Sequence, residues 1–290
     1  GDLLIAEDAQ DELDFEQAQK VAFKQGEMEV PNLGISKSAF WIKLELENNS
    51  FEEDLLLELS LPILDEVTFY YPVGGQYKRI KTGEAFVFSH RKYQEPNYLF
   101  DLDLKHGDSK VYFLKVKSSE AIQLPVKIGT RAALTDQIKN RDILSGIYFG
   151  IMLVMILYNL FVYFTVRDRS YILYVIYILL ILLTQTSLQG YPFQYLWPNQ
   201  PLIAKYSLFI FPSLVSVAGI VFMLVFLKVK EYNKTLYNLS FIFLTTYTVS
   251  MVAALLKQYQ LSFAIMEFSS MTVSVYMLLT ALFIAKKGYA

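Results

Sequence analysis

Trp41 and Lys43 stand two positions apart in the run AFWIKLELE, and residues two apart in an extended chain project from one face. An aromatic ring beside an ammonium group is chemistry suited to stacking on a sugar face or holding an anionic ligand. Trp is also mostly buried on average, so packing under a loop or against the amino-terminal segment is the competing reading. Arg91, beside His90, is a further ligand-binding candidate; its alternative is a surface salt bridge worth about 0–1 kcal/mol. Three more polar residues interrupt long apolar runs: Asn159, Gln185 and Glu267. A carboxylate at membrane depth is costly unless protonated, paired or hydrated, which makes Glu267 a functional candidate. A Glu near an interface that reaches headgroups or a neighbouring helix is the plainer account. Asn159 and Gln185 read first as interhelical hydrogen-bonding groups.

Other chemistry is excluded. There is no Walker loop and no nucleophile elbow, and His90 and His106 are the only histidines. Cysteine is absent, which removes disulfides, thiolate zinc sites and cysteine nucleophiles. The runs Glu52-Glu53-Asp54 and Asp11-Glu12-Asp14 lack the glycine and Glu spacing of an EF-hand and read as solvated charge. No catalytic residue, metal site or cofactor is therefore expected.

The elements that carry these residues belong to two solvents. Residues 143–166 run 24 positions without a charge, about 36 Å as a helix, enough to cross a hydrocarbon core of about 30 Å. Four further spans follow at about 171–188, 206–227, 236–256 and 261–285. Residues 1–142 hold 17 Lys+Arg against 25 Asp+Glu, and the remainder 9 against 3, so a net −8 portion precedes a net +6 portion. Neither portion has a basic stripe, which argues against nucleic acid.

Ahead of the first span the pattern has period two. In AFWIKLELE, Phe40, Ile42, Leu44 and Leu46 share the face opposite Trp41 and Lys43. Further short strands are predicted at 55–61, 67–71, 77–81, 98–104, 111–117 and 124–128, with Pro72-Val73-Gly74-Gly75 as a hairpin turn. Short strands separated by regular turns predict a β-sandwich over residues 1–130. Residues 131–142 read as a linker, and 143–290 as an all-α membrane bundle.

Loop charges orient the bundle. Arg167, Arg169, Lys228, Lys230, Lys234, Lys286 and Lys287 collect on one side, against Lys205 and Lys257 on the other. The seven should face the cytoplasm, leaving the amino-terminal domain outside. Arg131, Lys139 and Arg141 before the first span run against this assignment, as a cleaved signal peptide would permit. Lys205 and Lys257 are expected to snorkel to the outer surface. Tyr191, Tyr195 and Trp197, in the loop 190–201, suit an interfacial aromatic belt.

These fragments, in this order, resemble a bacterial family, the seven-transmembrane receptors with diverse intracellular signalling modules (7TMR-DISM). The ectodomain is similar to the family's second extracellular type through Asn32-Leu33-Gly34, Ala39-Phe40-Trp41-Ile42-Lys43-Leu44 with Asn48-Asn49, and Leu61-Pro62-Ile63-Leu64-Asp65-Glu66-Val67. The match continues at Gly83, His90-Arg91, Val111-Tyr112-Phe113-Leu114-Lys115-Val116 and Leu124-Pro125-Val126. The membrane half resembles the family at Gly146-Ile147-Tyr148-Phe149-Gly150, Leu157-Tyr158-Asn159-Leu160 and Arg167-Asp168-Arg169-Ser170-Tyr171-Ile172-Leu173-Tyr174.

The resemblance implies a jelly-roll-like ectodomain similar to carbohydrate-binding modules, seven spans and a cytoplasmic output domain such as a histidine kinase or nucleotide cyclase. With five spans before Ala290, the chain is expected to be a fragment of a longer receptor in a bacterial inner membrane, its carboxyl end cytoplasmic. The expected partners are an extracytoplasmic small molecule, carbohydrate or protein, the lipid bilayer, and a second copy in a homodimer. A transport or assembly subunit with a β-sandwich binding domain is the alternative, and an intramembrane hydrolase the more remote one.

Overall fold

The computed structural model describes residues 3–26, 28 and 30–287. The chain separates into two compact units, one reaching Asp142 and including Leu188–Lys205, the other formed by Ile143–Ser187 and the chain from Tyr206 onward.

The first unit is a β-sandwich. Its larger sheet has six strands in the order β2-β1-β4-β9-β6-β7, formed by β1 (Leu4–Asp8), β2 (Lys24–Gln25), β4 (Ala39–Glu47), β6 (Glu66–Val73), β7 (Gln76–Thr82) and β9 (Ser109–Lys117). The smaller sheet has the order β11-β5-β8, from β5 (Asp54–Leu59), β8 (Tyr98–Asp103) and β11 (Val126–Thr130). The short strands β3 (Asn32–Gly34) and β10 (Ile122–Gln123) pair separately. Alternation accounts for the core. Phe40, Ile42 and Leu44 of β4, Val67 and Phe69 of β6 and Leu114 of β9 face Leu57 and Leu59 of β5 and Tyr98, Phe100 and Leu102 of β8. Burying one large apolar side chain contributes about 1.5–3 kcal/mol, and this layer does so on both sheets.

The hairpin between β6 and β7 turns through Gly74 and Gly75, since Val73 pairs with Gln76. Both glycines have positive φ, 59° and 82°, the geometry that two-residue hairpins demand. Pro72 and Val73, expected in the turn, extend β6 instead. The strand expected at 124–128 begins later, after Pro125, as β11 from Val126 to Thr130, while Leu124 and Pro125 belong to no strand. Proline lacks the N–H that a ladder uses.

In the second unit, five helices among the described residues are long and apolar enough to cross a membrane. They are α2 (Arg131–Val166), α3 (Arg169–Leu188), α5 (Pro201–Phe226), α7 (Lys234–Leu255) and α8 (Tyr259–Lys286), with the short helix α6 (Val229–Tyr232) between α5 and α7; the short helices α1 (Phe15–Ala18) and α4 (Tyr191–Tyr195) belong to the sandwich unit. Helix α2 starts at Arg131, so residues 131–142 are helical and belong to the sandwich unit. Only 11% of the most apolar window of α2 is buried; Ile147, Ile151, Val154, Leu157 and Phe161 are all exposed. So much outward apolar surface is unstable in water and suited to lipid.

Within this unit Ile156 of α2 packs with Val175 and Ile178 of α3, and Ile220, Tyr247 and Val273 join α5, α7 and α8. Buried Ser250 of α7 donates to the Ser262 carbonyl of α8 at 2.9 Å, and Tyr276 of α8 donates to Leu236 O at 2.8 Å. Hydroxyls facing backbone carbonyls are a common link between membrane helices.

Candidate functional site

The loop between α3 and α5 folds as part of the sandwich unit. Gly190 begins it with φ 78°. A Cβ there would lie 2.9 Å from Pro62 and 3.1 Å from Pro96, so both conformation and close approach require glycine. Helix α4 then buries Phe193 edge-on against Phe88, with ring centroids 5.5 Å apart. Trp197 and Ala204 pack around this pair. The Phe88 N–H donates to Pro198 O at 2.8 Å, Gln194 Nε2 to Gln94 O at 2.7 Å, and Tyr191 to Asp142 Oδ1 at 2.7 Å.

Lys205 completes the attachment. Its Nζ donates to both oxygens of Asp65, at 2.5 and 2.6 Å, and to Ser119 Oγ at 2.8 Å. Asp65 also accepts from the Ser119 N–H at 2.9 Å and from its hydroxyl at 2.8 Å. Only 17% of the Lys205 side chain and 14% of the Asp65 side chain are exposed. The lysine expected to snorkel outward is thus turned into the sandwich unit, because a bidentate carboxylate partner offsets the desolvation of its charge.

Two further acids lie behind this pair. Glu120 is buried and accepts from Ser118 Oγ at 2.7 Å, while its other oxygen has no partner among the described residues. Burial first, and then the Asp65 charge, push its carboxyl up to about 7, against the pull of Lys205. Burial likewise pushes Glu84 well above the usual carboxylate range, helped by Glu120 and Asp65 and opposed by Lys205 and Arg91. A fixed ammonium among three carboxylates makes a site whose charge depends on protonation in the neutral range.

Arg91 borders this cluster but is not open to ligand. It is buried. Its Nη1 donates to Glu95 O at 3.0 Å and to Pro96 O, and Nη2 to the Tyr98 hydroxyl at 3.4 Å. Its guanidinium lies 4.6 Å from the Phe88 ring centroid and 4.5 Å from that of Tyr98. Neither expectation for Arg91, ligand contact or surface ion pair, describes this cage of carbonyls and rings.

Trp41 follows the second of its two readings, packing against the amino-terminal segment, and not the ligand-binding one. It projects from the face opposite the main core, as the alternation requires, yet it is 1% exposed. The amino-terminal segment covers that face: Phe15 stacks on Tyr70 at 4.3 Å and lies 6.2 Å from Trp41. Ala6, Ala18 and Phe113 are buried with them in a second, smaller core, bordered by Leu13, Val21 and Phe23. Helix α1 is held there by a capping box between Asp14 and Gln17. Lys43, half-buried, pairs with Glu45 at 2.5 Å. Trp41 and Lys43 therefore do not form an open platform.

The basic residues before the first span also find partners in this unit. Arg131 holds Asp54 at 2.8 Å and Asp101 at 3.0 Å; Arg141 holds Glu95 at 3.6 Å and Asp142 at 3.0 Å.

The chain matches two family models that together span most of its length. Residues 1–130 match 7TMR-DISM extracellular 2, and residues 141–290 match 7TM diverse intracellular signalling. The chain belongs to the 7TMR-DISM family. No curated protein is similar enough to match it.

As a 7TMR-DISM chain it is a multi-pass membrane receptor with an extracellular amino-terminal domain. Of the polar residues singled out in its membrane half, Asn159 is buried and donates to its own helix, at Met155 O, 2.8 Å away. Gln185 and Glu267 are exposed, and the Glu267 carboxylate has no partner among the described residues. The structure does not bring these three together into a site.

Sequence reasoning missed Lys205 and its acids. A signal existed in Pro192, Phe193, Pro198 and Pro201, which make the loop stiff and apolar, as a docked loop requires.

Proposed function

We propose that this 7TMR-DISM chain senses an extracytoplasmic ligand through the β-sandwich and relays its state through the membrane helices to an intracellular signalling module. The observation that carries this reading is the Lys205 attachment. The loop joining α3 to α5 and the start of α5 through Lys205 fold with the sandwich, and Tyr206, the next residue, begins the second segment of the membrane unit. The chain passes between the units three times, at 142/143, 187/188 and 205/206. A ligand that favours one arrangement around Asp65 and Ser119 acts on Lys205, which lies within the first turns of helix α5. Such a ligand shifts the bundle only by its differential affinity for two states. The reading includes an inner-membrane location with the carboxyl end cytoplasmic.

The test uses the cysteine-free full chain in lipid nanodiscs. Spin labels at Leu227 and Lys286 report the distance between the ends of α5 and α8, before and after Lys205→Gln. A changed distance distribution with an unchanged sandwich spectrum supports the relay. An unchanged distribution removes it. Impermeant maleimide should label a cysteine at Ser50, and not one at Asn233, on intact spheroplasts; the reverse pattern would invert the topology and end the sensor reading. Pro212 lies within the continuous helix α5, so it offers no broken mid-membrane helix to support a transporter.

A further inference from the structure

The amino-terminal segment covers the outer face of the six-stranded sheet as far as Tyr70 on β6 and Tyr77 on β7, but the end of that face around Thr68, Arg79, Lys81 and Lys117 is open. A cavity of about 410 Å³ lies there, lined by Asp11, Glu66, Thr68, Tyr70, Arg79, Lys81, Lys115 and Lys117 among others. Strand register explains the composition. Thr68 on β6 pairs with Lys81 on one side and Lys115 on the other; Tyr70 pairs with Arg79. Directly opposed residues on neighbouring strands lie about 4.5–5.5 Å apart at Cβ, so the cations rise around the Thr68 side chain. Within a portion of net charge −8, four cations and two carboxylates line this one cavity.

The cations are unevenly neutralised. Asp11, held at φ 57°, reaches Lys115 at 2.6 Å and Lys117 at 2.8 Å. Burial opposes ionisation of Asp11, but the hydrogen bonds from these two lysines outweigh it and hold its carboxyl below the usual range. The chain's own carboxylate therefore already occupies half of the site. On the other side Lys81 meets Glu66 at 3.0 Å with both groups largely exposed. Arg79 has no ion-pair partner and Thr68 no side-chain hydrogen-bond partner among the described residues. Like charges gathered around a buried hydroxyl are unfavourable unless an anion joins them.

We infer that this cavity binds a small oxyanion-bearing ligand, a carboxylate or phosphate on a polar scaffold, held by Arg79 and Lys81 with the Thr68 hydroxyl beneath it. A guanidinium fork suits two oxygens of such a group, and the volume falls within the roughly 300–1,000 Å³ of small-molecule sites. The binding step stands whether or not the membrane relay operates.

The test is calorimetric titration of the full chain in zwitterionic nanodiscs with D-glucuronate, D-glucose and inorganic phosphate. D-Glucuronate or phosphate should bind and weaken as salt rises, while D-glucose binds at least about tenfold more weakly. The double variant Arg79→Gln/Lys81→Gln should weaken anion binding by about tenfold or more. Lys78→Gln, exposed on the same strand but paired with Tyr71, should leave it unchanged. A matching far-UV spectrum and melt of the double variant establish that its fold is intact. Equal affinity for D-glucose and D-glucuronate, no binding of either anion, or binding untouched by the double substitution would each overturn the assignment.

Discussion

Two of the lysine–aspartate contacts in the extracellular unit, at Asp11 and at Asp65, behave oppositely. At Asp11 the pair lies at the mouth of an open cavity, with 40% of the Lys117 side chain and 30% of Asp11 exposed. There water remains available and two lysines share one carboxylate, so ionisation of Asp11 is favoured. At Asp65 one lysine serves a carboxylate with two more acids behind it, and both nearest partners are mostly buried. There burial dominates, and the surplus acids are driven toward neutrality. The same two residue types thus form an exchangeable anion contact in one setting and a protonation-dependent attachment in the other. The count of nearby charges and access to water decide which.

The largest expected effect lies beneath the open pair, where the Lys115 ammonium sits 5.2 Å from the Trp41 ring centroid. Trp41→Ala should destabilise the sandwich by about 3–5 kcal/mol, read as a large drop in its thermal midpoint. A mutant that melts like the parent would mean that the covering segment is not a second core, and would reopen Trp41 as a binding surface.

Next comes the buried pair itself. Lys205→Ala leaves Asp65 without its counter-ion beside two buried acids, and should lower stability by about 2–3 kcal/mol at pH 8. Lys117→Ala at the open pair should change it by less than about 1 kcal/mol. Equal losses in chemical-denaturation midpoints would erase the distinction between the two sites.

The pH dependence sharpens the contrast further. Glu120 has its folded-state value raised to about 7, above an unfolded value of about 4.3. The folded state therefore binds the extra proton between those limits. Its contribution is full below about pH 4.3 and is lost as pH rises through about 7, a change of order 3 kcal/mol for this group. Glu84, facing Glu120, Asp65, Lys205 and Arg91, shifts in the same direction. Asp11 has the opposite sign: its contribution is present at neutral pH and lost only in acid. Melts from pH 5 to pH 8 should fall in midpoint for the parent chain, and Glu120→Gln should flatten that slope. An unchanged slope in the variant would assign the titration elsewhere.

Much of the architecture was legible in the residues. The alternation of AFWIKLELE placed β4 at its observed ends, and Phe40, Ile42 and Leu44 do face the core. The uncharged runs located five membrane helices, and ordered fragments along both halves identified the family. Each of these signals is local or repeats along the chain.

The site was not legible in the same way. Period two separates the faces of a strand but says nothing about what covers the second face, and Trp41 is buried by a segment whose own pattern is weak. Lys205 and Asp65 are 140 positions apart, and neither has a neighbour that announces the other. By itself the sequence determined the sandwich strands, the apolar helices and the family, because backbone geometry and the hydrophobic effect act through short repeats. Only the tertiary structure decided which part of the large sheet's outer face stayed open, which loop docked on the sandwich, and which acids lost their water. Those outcomes depend on desolvation and charge between distant segments, and such energies exist only once the chain has folded.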